Sequence, residues 1–379
     1  MMSRFKIVFT SDFHIHPFRT CSRDGGHDRL LDGLSCLRQS LDLARDERAP
    51  WVFLGDFKMP KNTWPQEALT GSHEILREYD DVEKIMLAGN HDAEGLGGSG
   101  LAPFKDVATV VEKEAVVDVR THAKHLVCAP WNADLKRVRL LAEVAKGKIP
   151  LVGHAFLLGV ALGPEDARIS KGTPVGDYGE FPAAFFGDVH KGQWRSRVGR
   201  PPGWVSYPCV DLWPVEVEHV VVRAPAPWAG EVFYPGSPYE QNWGERDDPP
   251  KGALVVDLES GEVRLHPLRS PRHRHVELST ESDLAMFAEA ARERYAGDFV
   301  RVVYSGPPCG ALDALRGVGE GFRSFQVILR REAKQERRVD IHAGLSITEI
   351  LRRYIEARPP AGDARSALLA GERLAAVES

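Results

Sequence analysis

Apolar runs that end in glycine or another small residue, and then turn abruptly polar, recur along this chain. Residues 5–9 lead into Thr10-Ser11-Asp12-Phe13-His14-Ile15-His16, residues 51–54 into Gly55-Asp56, and residues 85–88 into Gly89-Asn90-His91-Asp92. Residues 149–152 lead into Gly153-His154, and residues 183–186 into Gly187-Asp188-Val189-His190. Short runs without polar alternation are what strands covered on both faces look like, and such strands belong to parallel sheets flanked by helices. Helical spacing appears between them. Leu30, Leu31, Leu34, Leu37 and Leu41 follow Asp28, a capping residue, and a second helix is expected near residues 73–79. The order is βαβαβ, which predicts an α/β fold with its site at the carboxyl ends of the strands.

Beyond residue 92 the pattern loosens. Residues 94–100 hold four glycines and are expected to form a mobile loop beside the site. Strands are expected at 116–119, 125–129, 217–222 and 231–234, and residues 254–268 read as a hairpin turning at Ser260-Gly261. At 269–275 arginine and histidine replace the apolar strand ends, which places a domain boundary there. A helix at 281–295 and strands at 299–304 and 325–330 then predict a small α+β domain. The last element starts at Ser346-Ile347-Thr348-Glu349, which has the spacing of a capping box. It puts Ile347, Ile350, Leu351, Tyr354 and Ile355 on one face and stops at Pro359-Pro360. The expected division is therefore 1–268, 269–345 and 346–379.

Composition narrows the class without changing this picture. With 379 residues, 43% hydrophobic and 27% charged, the chain reads as a soluble globular protein of two or three domains. No apolar run approaches the ~20 residues of a membrane span, and the first residues run straight into a strand with no secretory apolar region. Cys21, Cys36, Cys128, Cys209 and Cys309 lie apart with no C-x-x-C pair. Neither a disulfide framework nor a thiolate zinc site is expected, and a reducing cytoplasm is the simplest compartment. A net charge of −5 excludes a surface coated in positive charge but not a local basic one.

Each polar strand end has an ordinary explanation taken singly, since Gly-Asp is a common turn and a histidine after a strand is usually just hydrogen-bonded. Their succession in one grammar is not explained that way. Together they supply Asp12 and His14, Asp56, Asn90 and His91, His154, and Asp188 and His190. This mixed nitrogen and oxygen donor set suits manganese, iron or zinc. Two divalent ions about 3.5–4 Å apart can clamp the attacking and leaving oxygens of a phosphoester. A carboxylate is the natural bridge, because it offsets charge on both ions.

The order D-x-H, G-D, G-N-H-D, G-H and G-x-x-H resembles the calcineurin-like metallophosphoesterase superfamily. Three further stretches resemble its SbcD/Mre-eleven branch of DNA repair nucleases, phage and prokaryotic members above all. They are Phe186-Gly187-Asp188-Val189-His190-Lys191-Gly192-Gln193, Tyr234-Pro235-Gly236-Ser237-Pro238 and Asn242-Trp243-Gly244-Glu245, and the resemblance spans residues 7–268. It implies a four-layer αββα sandwich with a small C-terminal α+β capping domain. It implies that Asp12, His14 and His190 hold one ion, that Asn90, His154 and Asp188 hold the other, and that Asp56 bridges. His91 would act on the leaving oxygen from off the metals, with Asp92 orienting it. An imidazole, with a reference pKa near ~6.5, suits that task. The implied cofactors are two divalent ions, manganese first, with magnesium, iron or zinc as alternatives. The family pattern is G-H-x-H where this chain has Asp188. As a ligand, Asp188 would make the site more anionic and favour manganese or magnesium; outside the shell, it would leave the second ion weakened. His16 either faces the same cleft or caps its loop, and stays outside the ligand set.

The activity implied is a two-metal DNA exonuclease and endonuclease, the nuclease subunit of an SbcCD-like repair and recombination complex in a bacterial or phage-infected cell. A metallophosphodiesterase or phosphatase acting on small nucleotides or phosphoproteins fits the metal motifs equally well, but leaves the P-G-S…G-E segment and the C-terminal domain unexplained. A scaffold that merely organises an ATPase on DNA would not need every metal-capable position filled. Phosphate contacts to DNA are expected from Lys191, Arg195, Arg197 and Arg200, just past His190. A second basic cluster is Arg269, Arg272, His273, Arg274 and His275. A third, from Arg330 to Arg338, is interleaved with Glu332 and Glu336 and reads as a solvated face. Implied partners are DNA, a second copy of the chain, and an SbcC-type ATPase, with no membrane. The helix at 347–358 either binds that ATPase or packs on its own small domain. Removing the residues after Gly344 is expected to leave manganese-dependent nuclease activity and abolish co-purification of the ATPase; retained co-purification would overturn that assignment.

Overall fold

Two seven-stranded sheets face one another across a shared apolar layer. The computed structural model describes residues 5–17, 28–59, 63–94, 98–145, 148–162, 167–195, 204–207, 218–246, 248–306, 315 and 318–330. The first sheet runs, edge to edge, Val220–Arg223, Val263–Pro267, Gly252–Asp257, Lys6–Thr10, Trp51–Phe53, Lys84–Leu87 and Thr109–Val111. The second runs Val205–Ser206, Gln193–Arg195, Glu231–Tyr234, Ala183–Gly187, Leu151–His154, Lys124–Ala129 and Ala115–Val119. The strands with polar ends pair in parallel within each sheet, so those ends gather along one edge of each.

A period of two within these runs builds the layers, because successive strand residues point to opposite faces. Ile7, Phe9, Val52, Ile85 and Leu87 from the first sheet meet Leu126, Cys128, Val152, Phe185 and Phe233 from the second. The alternate residues Val8, Trp51, Phe53 and Met86 face outward against Leu30, Leu37, Leu41 and Leu76 of helices Asp28–Asp46 and Gln66–Glu78. On the far side, Val127, Ala129, Ala184 and Phe186 pack against Val138, Ala142 and Ala145 of helix Leu135–Ala145. The architecture is therefore α/β/β/α, with both faces of each sheet covered.

Several elements depart from expectation for identifiable reasons. Helix Gln66–Glu78 begins well before residue 73, where the expectation stopped short because Gly71, a poor helix former, lies inside it. A Cβ there would sit 2.8 Å from Leu34 Cδ1, so the glycine is the point of close approach between the two helices. Helix Leu135–Ala145 went unforeseen because it buries small residues while Leu140 and Val144 face solvent, which blurs its apolar stripe. Leu31 is likewise exposed rather than core. Part of the 94–100 segment forms a short hairpin, Ala93–Glu94 against Gly98–Ser99.

Strands His273–Leu278, Phe299–Tyr304 and Ser324–Leu329 make a third, small sheet. Its first two strands are parallel and joined by helix Glu281–Arg294, whose Thr280 and Asp283 form a capping box. Leu284, Phe287, Val300, Val302 and Tyr304 give it a separate apolar cluster. The chain divides into two compact units, Met1–Ile328 and Leu329–Ser379, so the small sheet shares a unit with the sandwich. The helix expected at 347–358 and the basic residues 331–338 lie outside the described residues. No helix among the described residues is long and apolar enough to cross a membrane.

Phe185 is fully buried between the sheets, its ring stacked 4.4 Å from Phe9 and 5.4 Å from Phe233, centroid to centroid. Phe185→Ala is expected to destabilise the fold by about 3–5 kcal/mol, read as a lower denaturant midpoint at unchanged slope.

Candidate metal centre

The five polar strand ends converge. Asp12, His14, Asp56 and Asp188 are buried and all have positive φ, at 54°, 45°, 63° and 88°. Non-glycine residues rarely adopt that conformation, and it clusters where a fold turns side chains inward against local preference. Glycine clears the space. A Cβ at Gly55, itself at φ 103°, would lie 2.2 Å from His154 Nδ1, and one at Gly89 would lie 2.2 Å from Asp56 Oδ1.

Lone pairs then meet at short range. His14 Nε2 and His190 Nε2 are 3.1 Å apart, with Asp56 Oδ2 3.6 Å from His14. His154 donates Nδ1–H to the Leu54 carbonyl at 2.6 Å. Its Nε2 therefore faces Asn90 Oδ1 at 3.1 Å, Asp56 Oδ1 at 3.4 Å and Asp188 Oδ1 at 3.6 Å. Asp188 Oδ2 is buried with no hydrogen-bond partner among the described residues. Turned over, the Asn90 amide would donate to Asp56 at 2.8 and 2.9 Å and to His154 at 3.1 Å. Its oxygen-inward orientation is one that a cation stabilises and the protein's own acceptors oppose. This donor set fits divalent metals. Asp12, His14 and His190 form one trio of potential ligands, and Asp12, Asp56 and His154 another, with donor atoms within 4.8 Å of each other in each.

Burial and neighbouring charges act on these groups in the same crowded space. Burial pushes the Asp12 carboxyl up to about 6, against the pull of His154 and His190. Burial also opposes charge on Asp56, yet His154, His14 and the His91 N–H outweigh it and hold that carboxyl below its ordinary value. His14 is pushed down to about 3 by burial and by His190. His154 goes the other way: burial disfavours its charge, but Asp56, Asp188 and Asp12 raise it well above 6.5. The pocket's field favours a cation at this nitrogen.

His91 and Asp92 part company. His91 donates Nδ1–H to the Met59 carbonyl at 2.6 Å, which leaves Nε2 as its free nitrogen, and its ring stands edge-on to His14 at 4.7 Å. Its ring nitrogen also lies within 4.8 Å of ligand atoms of His14 and Asp56. Asp92 does not orient it. The fully buried Asp92 carboxylate accepts from the backbone N–H groups of Asp56 at 2.8 Å, Gly89 at 2.9 Å and Phe57 at 3.0 Å. Burial and the Asp56 charge still push it up to about 6. The group that holds the His91 ring is the Met59 carbonyl, and Asp92 fastens two strand ends together.

The structure adds a residue whose part the sequence left open. Glu245 accepts from His190 Nδ1 at 2.9 Å, from Asn242 Nδ2 at 3.0 Å and from Ser237 Oγ at 3.2 Å, and pairs with Lys251 at 2.9 Å. Burial would raise its pKa, but Lys251 and His190 bring it below the carboxylate range. The P-G-S…G-E segment, which the sequence marked only by resemblance and without a role for Glu245, thus supports His190. In the same loop, Gln241 donates to the Asp12 carbonyl at 2.6 Å.

The expected DNA contacts fare differently. Lys191 is buried, with its charge acting on Asp248, so it is not an open phosphate contact. Arg195 is half-buried, and Arg197 and Arg200 lie outside the described residues. Arg272 and Arg274 are paired with Glu240 at 3.2 Å and Asp298 at 2.8 Å, and His273 is buried against Glu240. His16 is half-buried and is not in the metal-capable trios.

No family model matches the chain. No curated protein matches it either. Among solved structures it is similar to a 5'-nucleotidase precursor from Thermus thermophilus at 14% identity and TM-score 0.33, over 70% of this chain and 54% of that one. A 5'-nucleotidase from Candida albicans gives 10% and 0.32, over 69% and 53%. A glutamine-dependent NAD+ synthetase from Acinetobacter baumannii gives 11% and 0.25, over 98% and 70%. The chain spans about half the length of the two nucleotidases.

Glu245→Gln is expected to weaken manganese binding about 10–100-fold in calorimetric titration, as losing a carboxylate behind a ligating histidine does. Asp188→Ala is expected to remove one of two sites; a titration unchanged from the parent would place Asp188 outside the ligand set.

Proposed function

We propose that the protein is a two-metal phosphodiesterase acting on nucleic acid, a DNA nuclease of the SbcD/Mre-eleven kind. The observation that carries the reading is the convergence of Asp12, His14, Asp56, Asn90, His154, Asp188 and His190, from two sheets, with His91 beside them and anchored by Met59. Bound by these side chains, two divalent ions would supply Lewis acidity to the phosphoryl oxygens and lower the pKa of water. Asp56 faces both groups of ligands, through Oδ2 toward His14 and Oδ1 toward His154, which suits it to bridge. Asp12, His14 and His190 would hold one ion, and Asn90, His154 and Asp188 the other. His91, with Nδ1 committed to Met59, has Nε2 available to hold or deliver a proton at the leaving oxygen. Manganese is the first expectation for an oxygen-rich mixed donor set.

The nuclease assignment rests on the P-G-S…G-E segment, whose side chains support His190 rather than merely continuing the chain. Hydrolysis of small nucleotide esters is the second reading, favoured by one observation: Lys191 is buried, and Arg272 and Arg274 are ion-paired rather than presented for phosphates. The SbcC-type ATPase, the second copy of the chain and the capping role of the small sheet belong to the same proposal.

Purified protein with manganese, offered linear double-stranded DNA, single-stranded DNA and bis-p-nitrophenyl phosphate, is expected to degrade DNA and to stop on chelation. His91→Ala should lower the rate about 10²–10⁴-fold with metal binding retained. Turnover of the small ester alone would favour the second reading, and no turnover by a folded, metal-loaded protein would sink both.

A further inference from the structure

One aromatic side chain borders the metal centre without serving the core. Trp131 follows the strand Lys124–Ala129, and its indole stands edge-on to the His154 imidazole with ring centroids 6.5 Å apart. It is half-buried, unlike fully buried Trp51. Its position is fixed from the backbone. The Trp131 N–H donates to the Ala88 carbonyl at 2.9 Å, which ties it to the turn that presents Asn90 and His91. The next residue, Asn132, is exposed with φ 61°, and the Ala133 N–H donates to the Pro130 carbonyl at 3.1 Å. The left-handed Asn132 closes this tight turn immediately after Trp131.

Four other described indoles spend their N–H within the protein. Trp51, Trp64, Trp204 and Trp228 donate it to Ser40, Gly100, Leu158 and Leu258. Trp194 and Trp243 commit their faces instead, to Phe233 and to the Arg301 guanidinium. Trp131 has an edge-on ring contact with His154 and, among the described residues, neither a bond from its indole N–H nor a stacked partner. A partly open indole beside His154, with no stacked partner among the described residues, is suited to accept a flat π-face from a substrate held at the metals.

We propose that Trp131 is a specificity residue of this centre: it stacks on the nucleobase next to the scissile phosphate, on the side of the ion held by Asn90, His154 and Asp188. The proposal rests on the phosphodiesterase reading and narrows its substrates to strands carrying a base at that position. Stacking of this kind tolerates any base, because all four present a π-face, so cleavage would depend on the presence of a base and not on its identity.

The test compares two single-stranded oligonucleotides, identical except that one carries an abasic residue beside the phosphate that is cut. With manganese, the parent protein is expected to prefer the base-bearing strand by about tenfold in kcat/KM, chiefly through KM. Trp131→Ala should bring that preference close to one, and Trp131→Phe should restore most of it, since a smaller ring still stacks. Manganese titration of both variants separates stacking from damage to His154; loss of metal binding in both would assign Trp131 to supporting that ligand and overturn the proposal. Equal cleavage of the two strands by the parent protein would overturn the stacking role and leave phosphodiester hydrolysis standing. Cleavage of neither strand would overturn the stacking role, and turnover of bis-p-nitrophenyl phosphate in the same preparation would show that hydrolysis stands without it.

Discussion

The Asp92 carboxylate, wholly buried, binds the backbone N–H groups of Asp56, Phe57 and Gly89. Those groups belong to the ends of two neighbouring parallel strands, so one side chain sets the spacing between the turns that deliver Asp56 and Asn90. It also satisfies donors that a strand end in the protein interior would otherwise leave without partners, each at a cost of about 1–3 kcal/mol. The positive φ of Asp56 is sustained by this clamp. Without it, the carboxylate between the two groups of ligands would have no fixed position.

The centre built on that clamp is electrostatically unfavourable by itself. Asp12 and Asp92 are driven toward protonation, Asp56 stays ionised by leaning on His154 and His14, and Asp188 keeps a buried oxygen without a partner among the described residues. Such an arrangement persists only because packing fixes it, and it is satisfied by cationic charge from outside the chain. The support extends outward through His190 to Glu245, then to Lys251 and Asp248, an alternating line of charges buried beneath the site.

Much of this was legible in the sequence because backbone and chemistry agreed. A strand buried on both faces must be apolar throughout, and glycine must follow where His154 or Asp56 packs against the chain, so apolar run, glycine and ligand appear together in the text of the protein. What could not be read was pairing across the fold. Asp92 looked like a partner for its neighbour His91, whereas its partners are N–H groups at Asp56 and Phe57. Lys191 reads as a DNA-phosphate contact just past His190, but the fold buries it with its charge acting on Asp248. Helix Leu135–Ala145 escaped notice because small residues do its packing.

The metal-capable side chains come from both sheets: Asp12, His14, Asp56 and Asn90 from the first, His154, Asp188 and His190 from the second. The site is therefore a seam rather than a pocket, and it fixes the reading frame of five strands against one another. A single residue inserted before any of these ends would advance its ligand by about 3.3 Å and turn it to the other face. Loops at the opposite edge of the sandwich carry no such constraint. Variation in chain length is tolerable at one end of these strands and forbidden at the other, which makes the centre a ruler for the whole fold.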